Sequence, residues 1–303
     1  MTLSHNEPPI PLSMTQEEPR WLHFTRPTAA EVAYLEESLG IPSSYIRHSL
    51  DSGERARIDR NNGLILIVLR VPYFKGNNVY VPFITMPLGI VLTEKQVITI
   101  CQVETEVIGE MRKISMSSRQ HFLLQLLMSA VTVYLKYLEQ INHLVDEVEE
   151  RLKVSTRNKE VLELLKYQKS LVYFTTALKA NEVMMDRLQK SHWLTLNEAE
   201  TLLLEDVFIE QHQALEVATL SENLLSQMMD AFASIIANNL NLVMEFLAAM
   251  TIILALPSVI ASFYGMNVAL PFEDSPFAFS FIIAISLLVC VVVAMIFIRR
   301  RWL

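Results

Sequence analysis

Apolar residues recur along this chain in three rhythms, and the rhythms divide it. Between residues 63 and 103 they come as short runs bounded by turn formers: GLILIVLRVPYF, VYVPFI, LGIVL and VITICQV. Lys75-Gly76-Asn77-Asn78 and Thr93-Glu94-Lys95-Gln96 separate them, which predicts strands joined by tight turns. Ahead of these, Thr28-Ala-Ala-Glu31 reads as a capping box opening the helix TAAEVAYLEESL, which stops at Gly40. Residues 20–115 are therefore expected to form a small α/β domain. Residues 1–19 are polar and Pro-rich and are expected to be disordered.

From residue 116 the rhythm becomes helical. Leu126, Val133, Leu138, Ile141, Leu144, Val145, Val148 and Leu152 recur at roughly helical spacing. A second helix is expected over about 157–190. A third begins near Leu196, with Thr195 as its cap and Glu198 three residues on. No Gly or Pro lies between Gly109 and Pro257. The third helix can thus run on to Phe263 as one stalk, roughly 100 Å long at about 1.5 Å per residue. The alternative is a break at Asn238-Asn239. This gives a helical domain and stalk over 116–241.

The third rhythm has no polar face. Residues 246–272 and 277–298 carry no charge, and each exceeds the roughly 20 residues that cross a bilayer core. A transmembrane domain over 242–303 follows, with a first span at about 242–263 and an outer loop over 264–276. A second span covers about 277–298, and a basic tail 299–303. Arg299, Arg300 and Arg301 place that tail in the cytoplasm, so two spans put the N-terminal body there too. The fold class expected is an α+β cytoplasmic domain with a long stalk helix continuing into two transmembrane helices.

One face of the stalk reads Asp230, Ser234, Ala237, Asn241, Met244, Ala248, Thr251, Ala255, Ser258, Ser262, with every residue but Met244 small or polar. Inside a bilayer such a stripe faces protein or water. Close helix packing accounts for small residues without any pore. Charge tilts the balance toward a cation route. The net charge is −8, and Ser191 to Ile298 contains no Lys or Arg but 11 acids. Two spans cannot enclose a pore, so a lined channel requires several copies around one axis.

Composition narrows the remaining choices. The chain is 51% hydrophobic over 303 residues, with a mean hydropathy of +0.30, which agrees with membrane segments. Its acidity disfavours nucleic acid. Two cysteines, Cys101 and Cys290, form no disulfide framework, and the seven histidines form no HExxH or zinc pattern. The N-terminus lacks the basic flank and apolar core of a signal peptide. No phosphate loop or nucleophile motif appears, so no enzyme and no organic cofactor are expected.

At Tyr264-Gly265-Met266-Asn267 the sequence resembles the CorA-type magnesium transporter family. Asn241, Met244, Leu247, Pro257 and Tyr264 to Asn267 match that family's pore helix without a gap, and RRRWL resembles its ending. The resemblance implies a funnel-shaped homopentamer in the plasma (inner) membrane, partnered by divalent cations and the lipid bilayer. It assigns ion selection to Gly265, Met266 and Asn267. The pore and gate fall to Asn241, Met244, Leu247, Thr251 and Ala255. Glu273 and Asp274 of the outer loop would concentrate cations. Mg2+ sheds its waters reluctantly, and a ring of amide oxygens accepts hydrogen bonds from those waters without stripping them. An uncharged ring also releases the ion. The resemblance further implies that Mg2+ is both the cargo and, at Asp230, a regulatory ion that holds the channel shut.

Three positions depart from the family pattern. The acid that pairs with Asp230 is replaced by His48, an ordinary surface histidine on the simplest reading, with Asp51 one turn further as a substitute. The outer-loop acid is displaced by one residue to Glu273. Ala255 stands where the family carries a larger apolar residue. These departures keep a zinc transporter of the same superfamily as an alternative, and a non-conducting membrane scaffold as a more distant one.

Overall fold

The computed structural model describes residues 20–154, 158–266 and 276–300. It divides the chain into a body, up to Ser226, and a second unit from Gln227.

The body is built on five strands: β1 Arg20–Thr25, β2 Arg57–Asn61, β3 Leu64–Phe74, β4 Phe83–Leu92 and β5 Gln96–Cys101. Their order is β1-β5-β4-β3-β2. β1 runs parallel to β5 and the other pairs are antiparallel. The expected runs become β3, β4 and β5. The edge strands RWLHFT and RIDRN escape a hydrophobicity reading because neither contains a fully buried residue.

The residue runs at the sheet centre are apolar on both faces because helices cover both. Leu66, Val68, Val91, Ile98 and Ile100 pack against Leu35, Ile41, Tyr45 and Ile46. Leu35 lies on the helical segment following Thr28, Tyr45 and Ile46 on α2, Ser43–Leu50, and Ile41 in the connection between them. The Thr28–Glu31 capping box is present and opens α1, Ala29–Ala33, but the helix then widens into a π-turn over Tyr34–Ser38. On the opposite face, Phe83 stacks with Tyr137 and Phe174, and Phe174 meets Tyr134 edge-on at 5.1 Å. These rings belong to α4, Arg119–Val154, and α5, Asn158–Ser191. A short helix α3, Glu106–Met111, links β5 to them.

Two expected strands prove to be one. VPFI and LGIVL join through Pro87 into β4, with Pro87 opposite Arg70 of β3. Proline has no N–H to give, which ordinarily excludes it from a central strand. Here no bond to β3 is lost, because this antiparallel pair is one in which Arg70 turns its N–H and C=O away from Pro87, toward α4 and α5. The Arg70 carbonyl accepts from Asn181 Nδ2 at 2.8 Å and from Tyr134 Oη at 3.0 Å. The Arg70 N–H donates to Asn181 Oδ1 at 2.9 Å. The Asn62-Gly63 turn between β2 and β3 has φ of 49° and 81°, the left-handed pair that a two-residue hairpin demands.

The long helix α6 runs from Glu198 to Tyr264, 67 residues without interruption at Asn238-Asn239, and Pro257 lies inside it. Its cap is Asn197, not Thr195. Asn197 Oδ1 accepts the Glu200 N–H at 2.9 Å, and Glu200 Oε2 accepts the Asn197 N–H at 3.0 Å. Both Thr195 and Asn197 have an acid three residues on, and the reciprocal pair forms at Asn197 with Glu200. Within the body, Leu204, Val207, Gln211, Ala214, Ala218, Ser221 and Leu225 are buried. They recur at three- and four-residue steps and so form one stripe. The Gln211 amide donates to the Leu178 carbonyl of α5 at 2.9 Å.

The second unit comprises the remainder of α6 and α7, Ala278–Arg299. Both helices are long and apolar enough to cross a membrane, with mean hydropathies of 2.2 and 3.3 over their most apolar windows. α4 also meets that length and composition, but its apolar face is largely buried in the body.

Candidate ion pathway on the long helix

Packing within the second unit gives α6 a front and a back. Ala249 is fully buried, and Ile253, Leu256 and Ile260 are half-buried, in an otherwise exposed stretch. These four share one face at steps of four, three and four. Cys290 of α7 approaches that face, its Sγ lying 3.6 Å from the Ile253 carbonyl oxygen. α7 in turn has Ala278, Ile282, Ser286, Val289, Cys290, Val293, Ala294 and Phe297 as its less exposed positions.

At about 100° per residue, Met244, Leu247, Thr251, Ala255, Ser258 and Ser262 fall on the side of α6 turned away from Ala249 and Ile253. Asn241 lies at the flank of that side. All seven are exposed, Met244 at 59% and Leu247 at 53%. The chain's own second span therefore leaves the small and polar stripe bare. Sequence reasoning found the stripe but not the residues that meet α7, since Ala249, Ile253, Leu256 and Ile260 look like any other part of an apolar helix.

Three of the stripe's hydroxyls bond within the helix. Thr251 Oγ1 donates to the Leu247 carbonyl at 2.7 Å, Ser262 Oγ to Ser258 at 2.7 Å, and Ser234 Oγ to Asp230 at 3.1 Å. A hydroxyl that spends its proton on the turn below it offers only oxygen lone pairs outward. At those three positions the surface accepts hydrogen bonds from the waters around a cation.

The helix closes at Gly265-Met266. Gly265 N bonds to the Ala261 carbonyl at 2.9 Å and Met266 N to Phe263 at 3.4 Å. Gly265 and Met266 are both exposed. Asn267, Glu273 and Asp274 lie outside the described residues.

The positions expected to be regulatory lie in different units, Asp51 and His48 in the body and Asp230 in the second. Asp51 follows α2 and is exposed, with Oδ1 accepting the Gly53 N–H at 2.9 Å. The His48 ring is turned to Glu54, Nδ1 to Oε2 2.7 Å. Asp230 is exposed on the second unit's part of α6. Among the described residues no group of three or more His, Cys, Asp and Glu side chains is arranged to hold a metal.

The family profile described as CorA-like Mg2+ transporter protein matches residues 16–300. This chain belongs to that family. Among similar proteins is the cobalt/magnesium transport protein CorA of Methanocaldococcus jannaschii, 26% identical over 294 residues, spanning 93% of this chain and 91% of the relative. The protein of the same description from Thermotoga maritima is 24% identical over 311 residues, spanning 94% and 84%. The complete structure of the CorA magnesium transporter from M. jannaschii shares the fold. Its TM-score is 0.84 at 24% identity, covering 93% of this chain and 91% of that one. The CorA-like match spans both units, so the body, the long helix and the C-terminal helix follow one family architecture.

Proposed function

We propose that this CorA-like chain forms a channel for divalent cations, with Mg2+ as its principal cargo and Co2+ and Ni2+ as further ones. The observation that carries the reading is the bare stripe of α6. It is small and polar, lies in a helix long and apolar enough to span a membrane, and faces away from α7, the helix packed against it in its own unit. A polar stripe in a bilayer needs protein or water against it. Several copies around one axis, five in this reading, provide both. Leu202, Ile209, Leu220 and Leu224 form an exposed apolar row on the body's part of α6, which suits contact with another copy.

In this assembly α6 is the inner helix and α7 the outer, lipid-facing one, with both termini in the cytoplasm and the plasma (inner) membrane as its place. Gly265, Met266 and Asn267 receive the hydrated ion, with Glu273 and Asp274 of the outer loop raising cation concentration beside them. Met244 and Leu247 form rings that close by dewetting, while Asn241, Thr251 and Ala255 line the passage. Transport needs no organic cofactor. A divalent ion entering a negative interior gains roughly 4.6 kcal/mol per 100 mV, at about 2.3 per charge. Asp230 holds a regulatory Mg2+ between copies, paired with Asp51. His48, engaged with Glu54, is the less suited partner.

The test is entry of Mg2+ and Zn2+ into liposomes containing the purified protein. Asn267→Ala is expected to abolish selective Mg2+ entry. Leu247→Gly and Asp230→Ala are expected to raise leak at high internal Mg2+. Unchanged flux in the Asn267 variant overturns the asparagine ring. Zinc entry with negligible magnesium entry transfers the assignment to a zinc transporter, and no flux of either makes the protein a scaffold.

A further inference from the structure

Two independent features meet at one atom, the carbonyl oxygen of Ile253. The first comes from sequence. Residue 257 is proline, which has no N–H, so the carbonyl four residues earlier loses the donor that an α-helix ordinarily supplies. That carbonyl belongs to Ile253, and α6 continues through the position without ending. The second comes from packing. Cys290 of α7 places its Sγ 3.6 Å from this carbonyl, within reach of a sulfur donor. A freed backbone oxygen in an apolar medium is costly, and neighbouring helices in membranes supply donors for it. Among the residues on the packed face of α7, Ser286 spends its hydroxyl on the Ile282 carbonyl of its own helix at 2.8 Å. The thiol at 290 instead reaches across.

We infer that Cys290 is a positioning residue for the conducting stretch of α6, its thiol capping the Ile253 carbonyl that Pro257 leaves without a donor. A proline inside a helix is where the helix bends. Between Ile253 and Pro257 lies Ala255, on the stripe side. The cross-helix bond fixes the bend at that level and ties it to α7. It thereby sets the angle between the lower stripe, with Met244, Leu247 and Thr251, and the upper end, with Gly265 and Met266. The functional consequence rests on the channel reading above; the bond itself does not.

The test uses the full-length protein in lipid. With Cys101→Ala as the background, the only thiol left is Cys290. Its S–H stretching band in the infrared is expected at the lowered frequency of a hydrogen-bonded thiol. Pro257→Ala restores a backbone N–H for the Ile253 carbonyl and is expected to return the band to the free position. A band that Pro257→Ala leaves unmoved overturns the proposal. Liposome flux supplies the second readout. Cys290→Ala is expected to change the Mg2+ entry rate by about threefold or more, as loss of one modest hydrogen bond allows, while Cys290→Ser, which keeps a donor, stays within about twofold of the parent. In the Pro257→Ala background Cys290→Ala is expected to have no further effect. Full additivity of the two substitutions overturns the positioning role. A parent protein that shifts its S–H band as expected yet carries no ion defeats the channel reading and leaves the bond standing.

Discussion

The helix α6 lives in two regimes. Up to Ser226 it buries a regular stripe, Leu204 to Leu225, against the body of its own chain. From Gln227 onward it buries one residue, Ala249, and exposes nearly everything else. The covalent structure and helical geometry are the same in both stretches. The difference lies in what covers the side chains. In the body each stripe residue has a partner encoded elsewhere in the chain. In the second unit one face meets α7, and the other faces are left for lipid or for other copies. A face that no part of the chain covers, yet is too polar for lipid, is where a shared function among copies is to be sought.

The contrast is broken most forcefully by large-to-small substitution. Phe174→Ala removes a fully buried ring that touches Phe83 and Tyr134, and about 3–5 kcal/mol of body stability should go with it. Leu288→Ala, at a position 63% exposed on α7, should cost less than about 0.5 kcal/mol in detergent. Thermal unfolding followed by circular dichroism compares them, and equal losses would mean that the exposed face of α7 is covered after all.

A smaller effect tests how closely the body is packed. A Cβ at Gly89 of β4 would lie 1.7 Å from Ser49 Oγ and 2.4 Å from its Cβ. Gly89→Ala is therefore expected to cost about 1–3 kcal/mol through overpacking. Adding Ser49→Gly removes both clashing atoms and should recover most of the loss. Absence of recovery would place the cost in the strand and not in the α2–β4 contact.

The smallest effect is a pH dependence confined to the body. Burial depresses the His23 pKa below the ordinary 6.5, with Glu104 opposing the shift and Arg112 adding to it. Nδ1 faces Thr99 Oγ1 and Nε2 faces Thr25 Oγ1, each at 2.8 Å. The unfolded chain binds the proton more readily, so this contribution is complete above pH 6.5 and declines as pH falls toward the lowered folded value. The unfolding midpoint should drop across that window, and His23→Gln should flatten the drop. A parent and variant with the same slope would remove His23 from the account.

Legibility in the sequence followed how local the cause was. The Thr28–Glu31 capping box, the turns at 75–78 and 93–96, and the unbroken run of α6 were legible because each depends on residues within a turn or two. The polar stripe was legible because helical periodicity alone arranges it. The edge strands β1 and β2 were not, since their partners supply the pairing while their side chains are mostly exposed. Nor was β4 legible as one strand, because Pro87 is tolerated by the register of its pairing, which turns the Arg70 N–H and C=O away from it toward Asn181 and Tyr134 on two distant helices.

By itself the sequence determined the period of each segment, the charge-free lengths that match a bilayer, and the order of residues along the α6 stripe. These are properties of neighbours along the chain. Only the tertiary structure decided which side of α6 meets α7, that Cys290 arrives at the carbonyl Pro257 sets free, and that the stripe is left uncovered. Those outcomes depend on how two separate helices are rotated against each other, and the free energy of that choice resides in contacts that no single segment contains.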